Sequence, residues 1–261
     1  MTGQTYALTR QIPATFADGL VTYIDRAPVD LDLAIIQHQA YEHTLRQLGA
    51  ELISLPPLDH APDSCFVEDT AVMLDEIGII ARPGTGSRRV ETASVEAALT
   101  GHRALFGRIE EPGTLEGGDV IVAGRTVYVG LSSRTNQDGL DQLQVLLEPF
   151  EYGVIPVRVT GCLHLKTGAT MVGPDTVLLN PDWLDTSPFD GLNQISVDPN
   201  EPFAANAISL AGRVVMAASA PRTREELERK GFNTLSIDIS EMEKLEAGLS
   251  CCSIIFGGHE P

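Results

Sequence analysis

A chain of 261 residues with 43% apolar and 21% charged side chains can bury a sizeable core, which excludes a disordered or fibrous protein. A net charge of −18 with no cluster of Lys or Arg excludes nucleic acid as the partner, because counterion release from phosphates needs a basic footprint. No apolar run reaches the roughly 18–20 residues that span a bilayer, no export leader opens the sequence and four cysteines are too few for a disulfide scaffold, so we expect a cytoplasmic protein with no membrane partner.

Along the chain, an apolar strand is expected at 5–9 and a strand at 51–55. Between them a helix is expected at 31–48, with Leu33, Ile36, Tyr41, Leu45 and Leu48 as its apolar positions. The polar cluster FVED (66–69) then precedes strands at 70–75 and 77–82 and a helix at 90–100. The order recurs after LEGGD (115–119): strands at 119–123 and 126–130 about a Gly124-Arg125 turn, a helix to 148, and a strand at 153–159. A third copy follows LHLK (163–166) and is the weakest, because Pro181 and Pro188 interrupt its helix. FAAN (203–206) opens a fourth, with strands at 207–210 and 214–218 about Gly212 and a helix at 223–230. LSCCS (249–253) runs into the apolar IIF and has no helix of its own. Ser, Thr or Asp near the helix starts would cap their free amides.

With Asp69, Glu116, His164, Asn206 and Cys251 as markers, the spacings are 47, 48, 42 and 45 residues. Arg88, Arg134 and Arg222 follow their markers by 19, 18 and 16 residues. A period of this length signals a repeat architecture. The last unit lacks a helix and a closing strand, and the N-terminal segment supplies both. The expected fold is therefore α/β, a five-bladed propeller of strand-strand-helix-strand units forming one domain over residues 1–261. A ring protects its strand edges and turns one polar cluster per blade toward a central channel.

In that ring Asp69, Glu116, Asp119, His164 and Cys251 would meet at the axis. A cysteine is a strong nucleophile once deprotonated, and a histidine can move protons near neutral pH. Several carboxylates in a confined site are costly unless a cation joins them. Arg88 and Arg134, on loops at one rim, could clamp a carboxylate at the far end of the same ligand. A cation at one end and an anion at the other describe an arginine-like amino acid. Strand alternation would put Cys251 and Cys252 on opposite faces, so at most one meets the channel. Cys162, His164, Cys251 and Cys252 lack the spacing of a dedicated zinc site, and no metal or cofactor is expected. Arg222 and His259 are given no role.

The segments PDSCFVEDTAV, RPGTGSRR, GTLEGGDV, GLSSRTNQDG, LHLKTG, AAN and AGLSCCS, in this order, resemble the dimethylarginine dimethylaminohydrolases of the guanidino-modifying pentein superfamily. The resemblance runs from about residue 10 to 256, and it implies the five-bladed pentein propeller and hydrolysis of Nω-methylated arginine to citrulline. It assigns Cys251 as nucleophile, His164 as general acid and base, and Asp69 and Glu116 as the carboxylates around the guanidinium and the histidine. It places Asp63, Phe66 and Glu68 in the pocket segment, Arg88 and Arg134 on the α-carboxylate, and Leu20 and Leu245 at lid and backbone contacts. Glu246 stands where the family commonly has aspartate, which changes the reach of a carboxylate expected to meet the amine. The implied partner is a small-molecule substrate, and a homodimer is left open. Rival readings are an arginine deiminase or amidinotransferase using the same adduct, and a propeller that only binds. The deiminases usually carry a helical insertion for which the regular spacing leaves no room, and a binding propeller has no need of the Cys-His-acid set.

Overall fold

Short turns tie the paired strands, and the residues that make them are visible locally. Ala211 and Gly212 both have positive φ, 51° and 72°, as a type I′ hairpin turn requires. In the computed structural model, which describes residues 3–257, such turns recur within one three-stranded pattern. His259 lies outside the described residues.

The elements run β1 (Thr5–Arg10), α1 (Leu31–Gln47) and β2 (Ala50–Leu55), then β3 (Ala71–Met73), β4 (Gly78–Ile80), α2 (Thr92–Leu99) and β5 (Phe106–Arg108). Next come β6 (Val120–Ala123), β7 (Thr126–Leu131), α3 (Gln137–Leu147) and β8 (Gly153–Arg158). The third repeat holds α4 (Leu165–Gly168), β9 (Ala169–Met171), β10 (Thr176–Leu179) and β11 (Asn193–Ser196). The chain ends with β12 (Ile208–Leu210), β13 (Arg213–Ala217), α5 (Pro221–Arg229), β14 (Thr234–Ile237), α6 (Ser240–Glu243) and β15 (Ile254–Gly257). They form five three-stranded sheets, β15-β1-β2, β3-β4-β5, β6-β7-β8, β9-β10-β11 and β12-β13-β14. In every sheet the middle strand is antiparallel to the first and parallel to the third. A parallel neighbour demands a crossover, and α1, α2, α3 and α5 provide it. In the third repeat the crossover holds only a short 3-10 turn, Ser187–Phe189, with Pro188 inside it. This is the five-bladed α/β propeller expected from the period, and β1 sits between β15 and β2, with Thr5 opposite Gly257. Among the described residues no helix is long and apolar enough to cross a membrane.

The core lies between blades and beneath the helices. Leu140, Leu143 and Leu147 of α3 pack on Ile79, Val127 and Val129, while Val95 and Leu99 of α2 join Leu8, Ile80 and Ile254. Helix α1 departs from the expected register. Its buried face is Ala34, Gln37, His38, Tyr41, Glu42 and Leu45, whereas Leu33 and Ile36 are exposed. The i, i+3, i+4 stripe through Tyr41 and Leu45 carries polar Gln37 and Glu42, which find partners in Ser240 and Thr9 and so tolerate burial. Capping also differs from expectation: Asp30 and Asn136 cap α1 and α3, but α5 is capped from outside by Glu201, which accepts from the Arg222 and Thr223 amides.

The axis is left to polar turns. Asp69 lies in the turn before β3, Glu116 and His164 stand immediately before the turns that lead into β6 and β9, Asn206 precedes β12, and Cys251 lies in the turn before β15.

Candidate active site

The two glycines of LEGGD let the turns close on one another. A Cβ on Gly117 would lie 2.0 Å from the Glu68 carbonyl oxygen, and one on Gly118 would lie 2.7 Å from Asp69 Oδ1 and 3.0 Å from the His164 ring. With no side chain in the way, the Gly118 N–H donates to Asp69 Oδ1 at 3.1 Å. His164 Nε2 then stands 2.6 Å from Glu116 Oε2 and 3.8 Å from Asp69 Oδ1. All three side chains are buried.

Asp119 is buried beside them and holds two of the turns in place. Its Oδ1 accepts from the Leu165 amide at 2.9 Å, and its Oδ2 accepts from the Ser132 hydroxyl at 2.7 Å. Ser132 Oγ in turn accepts from the Arg134 and Thr135 amides. Burial lifts Asp119 to about 6. The thiol of Cys162 donates to the His164 carbonyl oxygen at 3.2 Å, and burial lifts that thiol to about 12. Cys162 therefore braces the histidine turn.

Burial alone would depress His164, but Asp69, the Glu116 hydrogen bond and Asp119 together lift it to about 10. The ring is an imidazolium at neutral pH and donates to Glu116. Asp69 moves the other way: burial would raise it, and His164, Arg88 and the Gly118 amide hold it near about 2. The ligand-type atoms of Asp69, Glu116 and His164 all lie within 4.8 Å of one another. A divalent ion there would have to displace both the His164 proton and Arg88, so the cluster fits a charge-balanced proton site better than a metal site.

Cys251 lies in the 3-10 turn Ser250–Cys252 and not in a strand as the alternation argument assumed. Both cysteines belong to one apolar cluster, and of the two only Cys251 also lines a cavity with His164, Asp69 and Arg134. Burial pushes the Cys251 thiol well up, and the charges of Glu68 and Asp69 add to the shift. Among the described residues the one hydrogen bond to its sulfur comes from the Gly248 N–H at 3.4 Å.

Leu20, Asp63, Phe66, Arg88, Leu245 and Glu246 also line this cavity. Glu116 stands behind His164. Glu68 turns away: its carboxylate takes Lys166 Nζ at 2.7 Å and the Ser250 hydroxyl at 2.8 Å, so its side chain faces the pore on the far side. Arg88 is not a free rim group. It is buried, its Nη1 is 2.5 Å from Asp69 Oδ2, its Nε and Nη2 fork onto Glu91, and Nη2 also reaches the Phe66 carbonyl oxygen. Buried Asp69 and Glu91 need counter-cations, and Arg88 bridges the two while His164 also faces Asp69. Arg134 differs: its Nη1 is buried, 3.5 Å from Glu116 Oε1, and makes no hydrogen bond. Arg222 is on the surface beside Asp198.

Glu246 sits in the left-handed region at φ 59°, uncommon for a side chain of its size. Its two carboxylate oxygens accept from the Thr22 and Tyr23 amides, and Asp63 Oδ1 accepts from the Leu20 amide at 2.9 Å. Arg26 ties the same segment to the Ala17 and Gly19 carbonyl oxygens. Segment 19–26 is thus tied down beside the cavity by Glu246 and Asp63. The cavity there is only about 30 Å³, room for a water or two, where small-molecule pockets usually run about 300–1,000 Å³. A cavity of about 320 Å³ lies across the Glu246–Ala247 wall, but no cysteine or histidine lines it among the described residues.

The chain matches the family model described as N,N dimethylarginine dimethylhydrolase, eukaryotic, over residues 26–256. It is 40% identical over 249 residues to the N(G),N(G)-dimethylarginine dimethylaminohydrolase of Streptomyces coelicolor, covering 95% of both chains. To the enzyme of that name in Pseudomonas aeruginosa it is 36% identical over 252 residues, covering 96% of this chain and 99% of the relative. A solved structure of the Pseudomonas aeruginosa protein, a mutant complexed with citrulline, superposes with a TM-score of 0.93 at 35% identity over 98% of this chain and 100% of that one. With the model match spanning nearly the whole chain, this protein belongs to the dimethylarginine dimethylaminohydrolase family.

Proposed function

We propose that this chain hydrolyses Nω-methylated arginines, asymmetric dimethylarginine and monomethylarginine, to L-citrulline and dimethylamine or methylamine. The observation that carries the reading is one cavity joining the Cys251 thiol, the protonated His164 on its two acids, and Arg134, whose Nη1 makes no hydrogen bond.

The substrate guanidinium replaces Arg88 as the cation beside Asp69. That exchange keeps the acid neutralised and frees Arg88 to join Arg134 on the α-carboxylate. Leu20 and Leu245 close over the aliphatic chain, and Glu246 receives the α-ammonium when the Thr22 and Tyr23 amides leave it. A cation next to the Cys251 sulfur offsets the burial and carboxylate terms that hold the thiol protonated, so the thiol proton leaves to water as substrate binds. The thiolate attacks the guanidinium carbon, and His164 gives its proton to the departing amine. The product of this half is an S-alkylthiouronium on Cys251. Neutral His164 then takes a proton from water, whose oxygen attacks the same carbon. Collapse expels the sulfur and leaves the citrulline carbonyl, the hydroxyl proton passing to the departing thiolate and restoring the Cys251 thiol. Glu116 holds the imidazole in register through both halves.

We read residues 1–261 as one catalytic domain whose last blade the N-terminal segment completes. The net charge of −18 supports a small-molecule partner and not nucleic acid, and four free thiols support a reducing compartment, the cytoplasm. Citrulline release from asymmetric dimethylarginine, monomethylarginine and arginine is the test, with Cys251→Ser and His164→Ala as controls. The methylated substrates should be preferred and both variants inactive with unchanged melting. Turnover of arginine alone, or citrulline formation by Cys251→Ser, would overturn the reading.

A further inference from the structure

Four of the five axial turns supply a group to the chemistry above; the fourth in order, which ends at Asn206, supplies none. Yet Asn206 is buried, and its carboxamide is fully engaged. Its Oδ1 accepts from the Ser250 amide at 2.9 Å, and its Nδ2 donates to Ser250 Oγ and to the Lys166 carbonyl oxygen, each at 3.1 Å. One side chain thus grips the turn just before the nucleophile and the turn just after the general acid.

The contact with Gly248 is closer still. A Cβ there would lie 2.2 Å from Asn206 Cγ, so the Gly248 backbone lies directly against the carboxamide. The Gly248 N–H is the donor to the Cys251 sulfur. We propose that Asn206 is a positioning residue for the nucleophile, holding the Gly248–Cys251 turn so that the Gly248 N–H stays on the sulfur and the sulfur stays in the cavity with His164.

The surrounding bonds close a circuit. Ser250 Oγ donates to Glu68 Oε2, Lys166 Nζ donates to Glu68 Oε1, and the Lys166 carbonyl returns to Asn206. Members of this circuit line a second cavity of about 310 Å³ whose walls come from β3, β6, β9, β12 and β15. That cavity shares no lining residue with the one at Cys251. The circuit is therefore the floor between them. It also accounts for Glu68, which faces this floor and not the substrate. The Gly248 N–H is the one influence that draws the Cys251 thiol downward against burial and the nearby carboxylates. Loosening the turn weakens that bond and misplaces the sulfur together. An ångström of misplacement at a reacting atom costs roughly 100-fold in rate.

The proposal rests on Cys251 as the nucleophile, so its test pairs citrulline formation with a readout independent of substrate, the pH profile of Cys251 alkylation by iodoacetamide. Asn206→Ala should lower kcat by roughly 10- to 100-fold with KM within about threefold. Its alkylation profile should move up by about one pH unit or more. Ser250→Ala keeps the amide contact but loses the hydroxyl, and should move both readouts the same way by less. Asn180→Ala is the control, because Asn180 is a similarly buried asparagine bonded to Pro202 and Asp182, and it should leave kcat and the profile at parent values. Parent-like kcat and alkylation in a folded Asn206→Ala would overturn the proposal. So would a parent-like profile in Ser250→Ala should Asn206→Ala fail to fold. If no methylarginine yields citrulline from the parent, the functional reading fails, while the alkylation arm still decides the role of Asn206.

Discussion

Replacing Glu116 with glutamine keeps a hydrogen-bond partner for His164 and exchanges a carboxylate for an amide. Glu116 Oε2 is 2.6 Å from Nε2, and the hydrogen bond is among the influences that lift the ring to about 10. The amide removes the carboxylate's charge and the charge-assisted strength of that bond; taking about 1.5–3 kcal/mol for a hydrogen bond to a charged group and about 1.4 kcal/mol per pKa unit, the substitution should lower His164 by about 1–2 units. Asp69 at 3.8 Å and Asp119 remain, so the ring stays protonated at pH 7. The acid that protonates the leaving amine is the imidazolium, and turnover fails above its pKa. The alkaline limb of kcat/KM should therefore move from about 10 in the parent to roughly 8–9 in Glu116→Gln, with much smaller loss at pH 7 than at pH 9.5. Stability follows the same sign. A folded-state pKa raised above the ordinary 6.5 stabilises fully below 6.5 and loses that contribution as pH rises through about 10. Thermal melts between pH 7 and 10 should accordingly fall less steeply in the variant. Citrulline assays across pH 6–11 decide the matter: an alkaline limb that stays near 10 in a folded Glu116→Gln would refute the assignment of His164 as the acid held by Glu116.

Three further outcomes are expected. Arg134→Gln removes the buried guanidinium whose Nη1 makes no hydrogen bond and should raise KM by roughly 10- to 100-fold with kcat changed only a few-fold, since a lost charge-assisted bond to a carboxylate acts on binding; an unchanged KM would contradict that role. Glu246→Gln weakens its hold on segment 19–26, so hydrogen exchange at the Thr22 and Tyr23 amides and iodoacetamide modification of Cys251 should both accelerate; protection equal to the parent would show that the segment is held elsewhere. Asp30→Ala removes the cap of α1 and should cost about 1 kcal/mol in urea unfolding with kcat intact, and loss of activity at full stability would argue against a purely structural cap.

The ring was legible because each blade repeats a polar turn at nearly constant spacing, and spacing survives where individual helices are weak. The same turns carry Asp69, Glu116, His164 and Cys251, so the pattern that gives the fold also brings the reactive groups together. What spacing does not encode is which way a side chain turns within its cluster. Glu68 and Asp69 are neighbours in one 3-10 turn, yet one meets Lys166 beneath the site and the other meets His164 and Arg88. Arg88 looked like a rim group because nothing local signals Glu91, three residues on, as half of a buried pair. Asn206 kept the period without a chemical function of its own, and its role appears only when Gly248 and Ser250 are seen against it. The apolar positions chosen for α1 failed for a similar reason: tertiary partners for Gln37 and Glu42 moved the buried stripe off Leu33 and Ile36.

That Cys251 makes and breaks the bond to the guanidinium carbon is open to direct observation by quenching turnover of asymmetric dimethylarginine in acid, digesting the protein and weighing the peptide that carries both adjacent cysteines. The account predicts a transient adduct, equal in mass to the substrate less dimethylamine, that fragmentation assigns to Cys251 and that disappears as citrulline accumulates. Citrulline forming with no adduct ever trapped on that peptide, or an adduct assigned to Cys252, would contradict it.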